Sequence, residues 1–290
     1  LAVFPTNSTT SSVAGIVAPS EVADLLPEPE VAFVEPGSRE VYQQVLDYYL
    51  QQSREQARAG AEIVVWQEYA VYVFEDDEAL FIEQGRELAR QENIYLLMGL
   101  VVGNENVPDE PVDNKVVWID PDGKIVWEYT KSFPVPGSID KTGDGQVPAG
   151  DTPYGRIATV ICYDMDQPLF IRQAGRDETD IMLAPAYDWK GLESVHTPMA
   201  SFRAVENGFS MVRVTGDGVS AAYDYQGRIL AMTNSFTSPG EVMVAHVPTQ
   251  GTMTIYSVVG DLFAWLCVAG FVVIVGWAVA QRATSRPTSR

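Results

Sequence analysis

Residues 157–164 read Ile-Ala-Thr-Val-Ile-Cys-Tyr-Asp. A short run this rich in Val, Ile and Thr has the composition of a buried strand, and it runs straight into a cysteine. In open α/β sheets ligands bind beyond the carboxyl ends of strands, so Cys162 stands where chemistry is usually done. Taken alone, the residue is equally readable as a small buried hydrophobe, the commonest fate of a free cysteine.

Two further strand ends bear on the choice. Residues 62–70, Glu-Ile-Val-Val-Trp-Gln-Glu-Tyr-Ala, form an apolar run that ends on the acid Glu68. Residues 125–137, Ile-Val-Trp-Glu-Tyr-Thr-Lys-Ser-Phe-Pro-Val-Pro-Gly, bring a third strand to Lys131 and then into a proline-stiffened loop. An acid, an amine and a thiol at three strand ends make a nucleophile set. The carboxylate takes the thiol proton, because the thiolate is the form that attacks. The ammonium lowers the thiol pKa and then stabilises the oxyanion of a tetrahedral intermediate.

Trp66-Gln67-Glu68, Lys131 to Gly137 and Ile161-Cys162-Tyr163-Asp164 resemble the Glu–Lys–Cys signature of the nitrilase, or carbon–nitrogen hydrolase, superfamily. Phe202-Arg203-Ala204-Val205-Glu206-Asn207-Gly208 resembles the Arg-Ala-x-Glu-x-Gly segment of the same superfamily, and the motifs fall in its order from about Val13 onward. The resemblance implies a four-layer α-β-β-α sandwich with Glu68, Lys131 and Cys162 catalytic. It puts Tyr187, Asp188 and Trp189 where the family lines its substrate pocket. The backbone N–H of Tyr163 is positioned by sequence to serve an oxyanion hole. Glu206 pairs with Arg203 one helical turn earlier as structural support. His196 reads as structural or surface, and His246, in an apolar strand, as core.

The order of patterns fits this class. Strands are expected at Val13–Ala18, up to Glu68, at Ile94–Gly103, at Asp180–Ala186, at Ser210–Thr215 and at Gly240–Val247. Helices are expected at Ser38–Ala59, Glu75–Gln91, Leu169–Glu178 and Thr197–Asn207. Asp120-Pro121-Asp122-Gly123 and Asp224-Tyr225-Gln226-Gly227 each read as the turn of a hairpin. Strands interleaved with helices imply α/β layering. The domain is taken as 13–250, after a Ser/Thr-rich linker at 1–12 and before a connector at 251–261.

The 290 residues carry a formal net charge of −20, which argues against nucleic-acid binding through a basic face. With two cysteines and two isolated histidines there is neither a disulfide framework nor zinc-ligand spacing, and the reading calls for no metal and no cofactor. The superfamily often dimerises, so a homo-oligomer is a possible state.

The end of the chain differs in kind. Leu262 to Ala280 contains no charged residue and is long enough to span a hydrocarbon core of about 30 Å. Trp265 and Trp277 suit interfacial anchors, and the tail 281–290 carries Arg282, Arg286 and Arg290 without an acid. The positive-inside rule then sets the tail in the cytoplasm and the domain outside it, on the periplasmic side.

A membrane helix after such a domain resembles the apolipoprotein N-acyltransferase branch. So do Thr252-Met253-Thr254-Ile255-Tyr256 with Gly260-Asp261, and Arg213-Val214-Thr215 with Gly218-Val219-Ser220-Ala221. The implied activity is transfer of a phospholipid acyl group, through a cysteine thioester, to an amine of a lipoprotein. A tethered hydrolase of small amides, or a nitrilase-like binding module, are the rivals. The chain departs from the family at Gln67, where proline usually precedes the acid, and at Ser138, where a second glutamate is usual. No glutamate occurs between Lys131 and Cys162, which leaves Asp140 as the only candidate for the second acid's place.

Overall fold

The computed structural model describes residues 9–26, 38–105, 107 and 110–284. In chain order the elements are β1 (Thr10–Ile16), α1 (Ser20–Ala23), α2 (Ser38–Arg58), β2 (Ile63–Trp66), β3 (Val71–Phe74), α3 (Glu75–Glu92) and β4 (Tyr95–Gly103). There follow β5 (Asp113–Ile119), β6 (Ile125–Thr130), β7 (Ala149–Thr152), β8 (Gly155–Thr159), a 3-10 helix (Cys162–Asp166), α4 (Pro168–Arg176) and β9 (Ile181–Tyr187). The chain continues through α5 (His196–Asn207), β10 (Ser210–Gly216), β11 (Val219–Tyr223), β12 (Ile229–Asn234), β13 (Met243–Pro248), α6 (Ile255–Val259) and α7 (Leu262–Thr284).

The strands form two sheets. One runs β13-β1-β2-β4-β5-β6 with β3 also on β4, and the other runs β12-β11-β10-β9-β8-β7. The parallel pairs β1–β2, β2–β4, β8–β9 and β9–β10 occupy the middle of each sheet, with antiparallel pairs outside them. Both strands are buried on both faces: β2 reads as a continuous apolar run, as a central parallel strand does, while β10 carries Arg213 and Thr215 among its apolar residues.

One core lies between the sheets, where Val65, Leu97 and Trp118 of the first meet Ile181, Met211 and Val214 of the second. A second core lies between the first sheet and α2 and α3, around Tyr42, Leu46, Trp66 and Leu88. Helices α4 and α5 cover the other side of the second sheet. The four-layer α-β-β-α sandwich is therefore the observed architecture.

Local chemistry explains the helix bounds. Four acids, Glu75, Asp76, Asp77 and Glu78, fill the first turn of α3, where the helix dipole favours negative charge. Asn93 ends α3 in the left-handed conformation, and Gly208 does the same for α5.

Several boundaries differ from the sequence reading. Strand β1 begins at Thr10, because Thr10 to Ser12 of the stretch read as linker pair with β13. Strand β3 forms in the turn after Glu68 by pairing with the second half of β4, and β7 forms in the Gly/Pro/Asp loop by pairing with β8. His246 was expected in the core but is exposed on β13, whose inward residues are Met243, Ala245 and Val247. Val244 is apolar too and hid that alternation.

Helix α7 stands clear of the domain. It is exposed from Leu262 to Gln281 and is, by length and composition, the one membrane-spanning candidate among the described residues. The tail residues 285–290 lie outside the described residues.

Candidate active site

The chain leaves β2 at Trp66 and carries Glu68 inward, with Tyr69 beyond it at φ 56°. Glu68 is 1% exposed, and both its oxygens are held. Oε1 accepts from Asn114 Nδ2 at 2.7 Å and from Lys131 Nζ at 2.7 Å. Oε2 accepts the backbone N–H of Tyr187 at 2.8 Å, which leaves it a lone pair for a further proton. Lys131 follows β6 directly, its N–H bonded to the Asn114 carbonyl. Its ammonium also lies 3.8 Å from Asp140 Oδ2. Asp140 in turn accepts the Tyr69 hydroxyl at 2.7 Å and Asn114 Nδ2 at 3.2 Å. Burial opposes the Lys131 charge, but Glu68, Cys162 and Asp140 outweigh it and hold its pKa above the usual lysine value.

Cys162 sits differently from the expectation. Strand β8 ends at Thr159, and the cysteine opens the 3-10 helix at φ 47°, a strained backbone for a residue with a side chain. The reason is Asp164, whose carboxylate clamps the turn. Its Oδ2 accepts the Ile161 N–H at 2.9 Å and the Tyr129 hydroxyl at 2.6 Å, and its Oδ1 accepts the Phe133 N–H at 2.8 Å. The same side chain thus ties the cysteine turn to the loop after Lys131. Burial pushes the Asp164 pKa up to about 6, against those hydrogen bonds.

The Cys162 Sγ lies 3.7 Å from the Tyr187 carbonyl, whose own N–H is bonded to Glu68. One peptide segment therefore spaces nucleophile and acid. Burial, with Glu68 adding to it, pushes the Cys162 thiol up to about 12, while Lys131 and Arg213 pull the other way. At rest the sulfur is a neutral thiol beside the Glu68–Lys131 pair. The first turn of a 3-10 helix leaves backbone N–H groups without intrahelical partners, and Tyr163 stands in that turn.

Glu68, Lys131, Asp140 and Cys162 line a cavity of about 260 Å³ together with Gln67, Tyr69, Tyr72, Val135, Ser138, Tyr187 and Trp189. Tyr187 and Trp189 are thus where the sequence reading set them, and Trp189 is 56% exposed. Asp188 is not among the lining residues. It is fully buried behind the cysteine, bonded to Arg213 at 3.0 Å and to His196 Nδ1 at 2.6 Å. His196 is likewise buried and also meets Asp166 at 3.1 Å through Nε2. Burial opposes its charge, but the bonds to Asp166 and Asp188 prevail and raise its pKa. Arg203 and Glu206 pair at 2.9 Å on α5, outside the cavity lining.

Cys162, Asp188 and His196 offer ligand atoms within 4.8 Å of one another. The Arg213 guanidinium occupies the same cluster, 2.9 Å from His196 Nδ1, so a metal ion would meet a buried positive charge at close range. The donor set fits an arginine better than a metal.

Asn114, Tyr69 and the Arg213–Asp188 pair escaped the sequence reading. The signal for Asn114 was a polar amide within a buried strand, where such groups require partners. Arg213 was visible only as part of a motif, without a role.

The sequence model described as carbon-nitrogen hydrolase matches residues 31–254. An apolipoprotein N-acyltransferase of Geobacter metallireducens is 27% identical over 258 residues, covering 81% of this chain and 49% of that protein. A deaminated glutathione amidase of Dictyostelium discoideum is 30% identical over 167 residues, covering 52% of this chain and 57% of that protein. The chain spans about half the length of such curated relatives. Among solved structures, an amidase from Nesterenkonia sp. shares the fold with a TM-score of 0.63 at 17% identity, covering 86% of this chain and 94% of that one.

Proposed function

The chain belongs to the carbon–nitrogen hydrolase family, and from that premise we propose that it is a membrane-anchored acyltransferase. It takes an acyl group from a phospholipid ester onto Cys162 and gives it to an amine, of the kind a lipoprotein amino terminus presents. The observation that carries this reading is the pairing of the Glu68–Lys131–Cys162 cavity with the exposed apolar helix α7 on one chain. In this reading α7 spans the bilayer, the layered domain from Val13 to Gln250 is extracytoplasmic, and residues 281–290 are cytoplasmic.

The chemistry follows from the resting charges. Glu68 Oε2 takes the thiol proton as the sulfur attacks the ester carbonyl. The tetrahedral oxyanion is met by the Lys131 ammonium and the Tyr163 N–H, both preorganised in a site that excludes water. Collapse breaks the ester C–O bond, and the protonated Glu68 returns its proton to the departing lysophospholipid alkoxide. The acyl group is left as a Cys162 thioester. An amine then attacks the thioester, Glu68 accepts its proton, and the sulfur departs to be reprotonated. Asp140, 3.8 Å from the Lys131 ammonium, supplies the scheme with a second carboxylate although residue 138 is a serine.

A second reading keeps the thioester but gives it to water or releases it from a small amide. The cavity favours it, since about 260 Å³ is below the range of about 300–1,000 Å³ usual for drug-sized ligands. The deciding experiment is intact-protein mass after incubation of the full chain, reconstituted in phosphatidylcholine vesicles, beside a Cys162→Ala control. A hydroxylamine-labile fatty-acyl increment that requires Cys162 supports the acyltransferase. Turnover of small amides with no such increment moves the assignment to the hydrolase.

A further inference from the structure

The outward side of α5 is apolar where a surface helix should be charged. Its exposed positions include Val195 just before the helix, then Met199 at 48%, Phe202 at 62% and Val205 at 44%. The spacing of four, three and three sets them along one stripe of the helix. Glu206, four residues after Phe202, is the one charged residue on that stripe; it is paired with Arg203 at 2.9 Å, with its side chain 30% exposed.

Helix α6 extends the apolar surface. Ile255 is 82% and Val258 57% exposed, while Ser257 points inward. This short helix is fixed rigidly to the domain. Thr254 Oγ1 donates to the Glu206 carbonyl at the end of α5, and Arg172 of α4 donates to the carbonyls of Tyr256 and Ser257. Only Gly260 and Asp261 then separate α6 from the apolar span that begins at Leu262. A helix that crosses a bilayer therefore brings α6, and with it the last turns of α5, to the bilayer surface. At its other end the stripe runs through Val195 toward the loop that carries Trp189, an exposed wall of the cavity.

We propose that the stripe of α5, with α6, docks on the lipid surface and sets the mouth of the Cys162 cavity against the acyl region. This rests on the reading of α7 as a membrane anchor. An apolar stripe on a helix lying in the interface is buried about 5–10 Å into the headgroup boundary. Such docking reconciles a small cavity with a long acyl substrate, because only the ester end enters while the chain remains in lipid along Trp189 and the stripe. With a net charge of −20 on the chain, this face suits zwitterionic rather than anionic lipid.

The test uses the full chain in egg phosphatidylcholine vesicles, with Cys162→Ser and Cys267→Ser as background. Nitroxide labels at Met199→Cys, Phe202→Cys and Ile255→Cys are compared with one at Asp122→Cys, in the exposed turn between β5 and β6. Labels on the stripe should be accessible to oxygen and shielded from an aqueous nickel reagent, with Asp122 the reverse. A label at Phe202 as water-exposed as that at Asp122 overturns the proposal. A short distance between Phe202 labels of two chains that persists on dilution with lipid also overturns it, showing that a second copy covers the stripe. In the native-cysteine chain, Phe202→Glu should slow acylation by vesicle phospholipid about tenfold and leave acylation by a water-soluble nitrophenyl ester unchanged. If phospholipid fails to acylate even the unsubstituted chain, the acyltransferase reading fails, and the label depths still decide the docking.

Discussion

The Asp140 carboxylate stands 3.8 Å from the Lys131 ammonium and is itself oriented by the Tyr69 hydroxyl and the Asn114 amide. A buried ammonium held between two carboxylates keeps both its proton and its position, which an oxyanion stabiliser requires. Replacing Asp140 by Ala should lower kcat by about 10²-fold with a small change in KM, as expected for a group that serves the transition state. The alkaline limb of the pH profile should also move to lower pH, since Asp140 is one of the groups that hold the Lys131 pKa up. An unshifted alkaline limb would remove Asp140 from this role.

Glu68 raises the pKa of the very thiol whose proton it takes in the proposed mechanism. Glu68→Gln should therefore shift the thiol to lower pKa and speed its alkylation by iodoacetamide at pH 8. Turnover of ester or amide should meanwhile fall by about 10²–10⁴-fold for loss of the general base. Parallel losses in alkylation and turnover would instead mean that the acid only organises the site.

Asp164 has a folded-state pKa of about 6, raised from 3.8. A raised pKa contributes stability that is fully present below the unfolded value and is lost as pH rises through the folded one. Relative to Asp164→Asn, which does not titrate, the native chain should lose up to about 3 kcal/mol between about pH 4 and pH 6 and little thereafter. Denaturant unfolding of both chains across that range measures the difference, and a flat difference refutes the assignment.

Gly99 of β4 lies directly against the strand end that carries Glu68. A Cβ at this position would overlap the Gln67 carbonyl oxygen, which is backbone and cannot rotate away. Gly99→Ala should cost about 1–3 kcal/mol of stability and reduce turnover more than stability alone explains, because Glu68 is displaced. Full turnover at a temperature where the variant is folded would show that the acid tolerates the shift.

Glu68, Lys131 and Cys162 line one cavity, and they could be picked out in the sequence because each closes a run rich in apolar residues, which is a local signal. Asp140 was legible only by elimination, as the one acid left where a glutamate was missing. The bonds that make it useful come from Tyr69, 71 residues earlier, and from Asn114, 26 residues earlier, and such contacts leave no local trace. Asp188 was misplaced by one position of a strand end. Tyr187 and Trp189 face the cavity, while the residue between them turns to Arg213 and His196 in the opposite direction. Helices α2 to α5 were read to within a few residues, since caps and the 3.6-residue period are encoded nearby, while the short α1 and α6 fell in stretches read as loop and connector. Strands β3 and β7 were missed because each exists only through its partner, β4 or β8.

The protonated, 3% exposed sulfur of Cys162 has one more consequence. Peroxides and disulfides react with thiolates, and a thiol near pKa 12 offers them almost none. Cys267, the other cysteine, lies within α7 and is no neighbour of the cavity. In the proposed mechanism the sulfur is thus guarded from oxidants at rest and becomes reactive only when a substrate carbonyl receives its electrons.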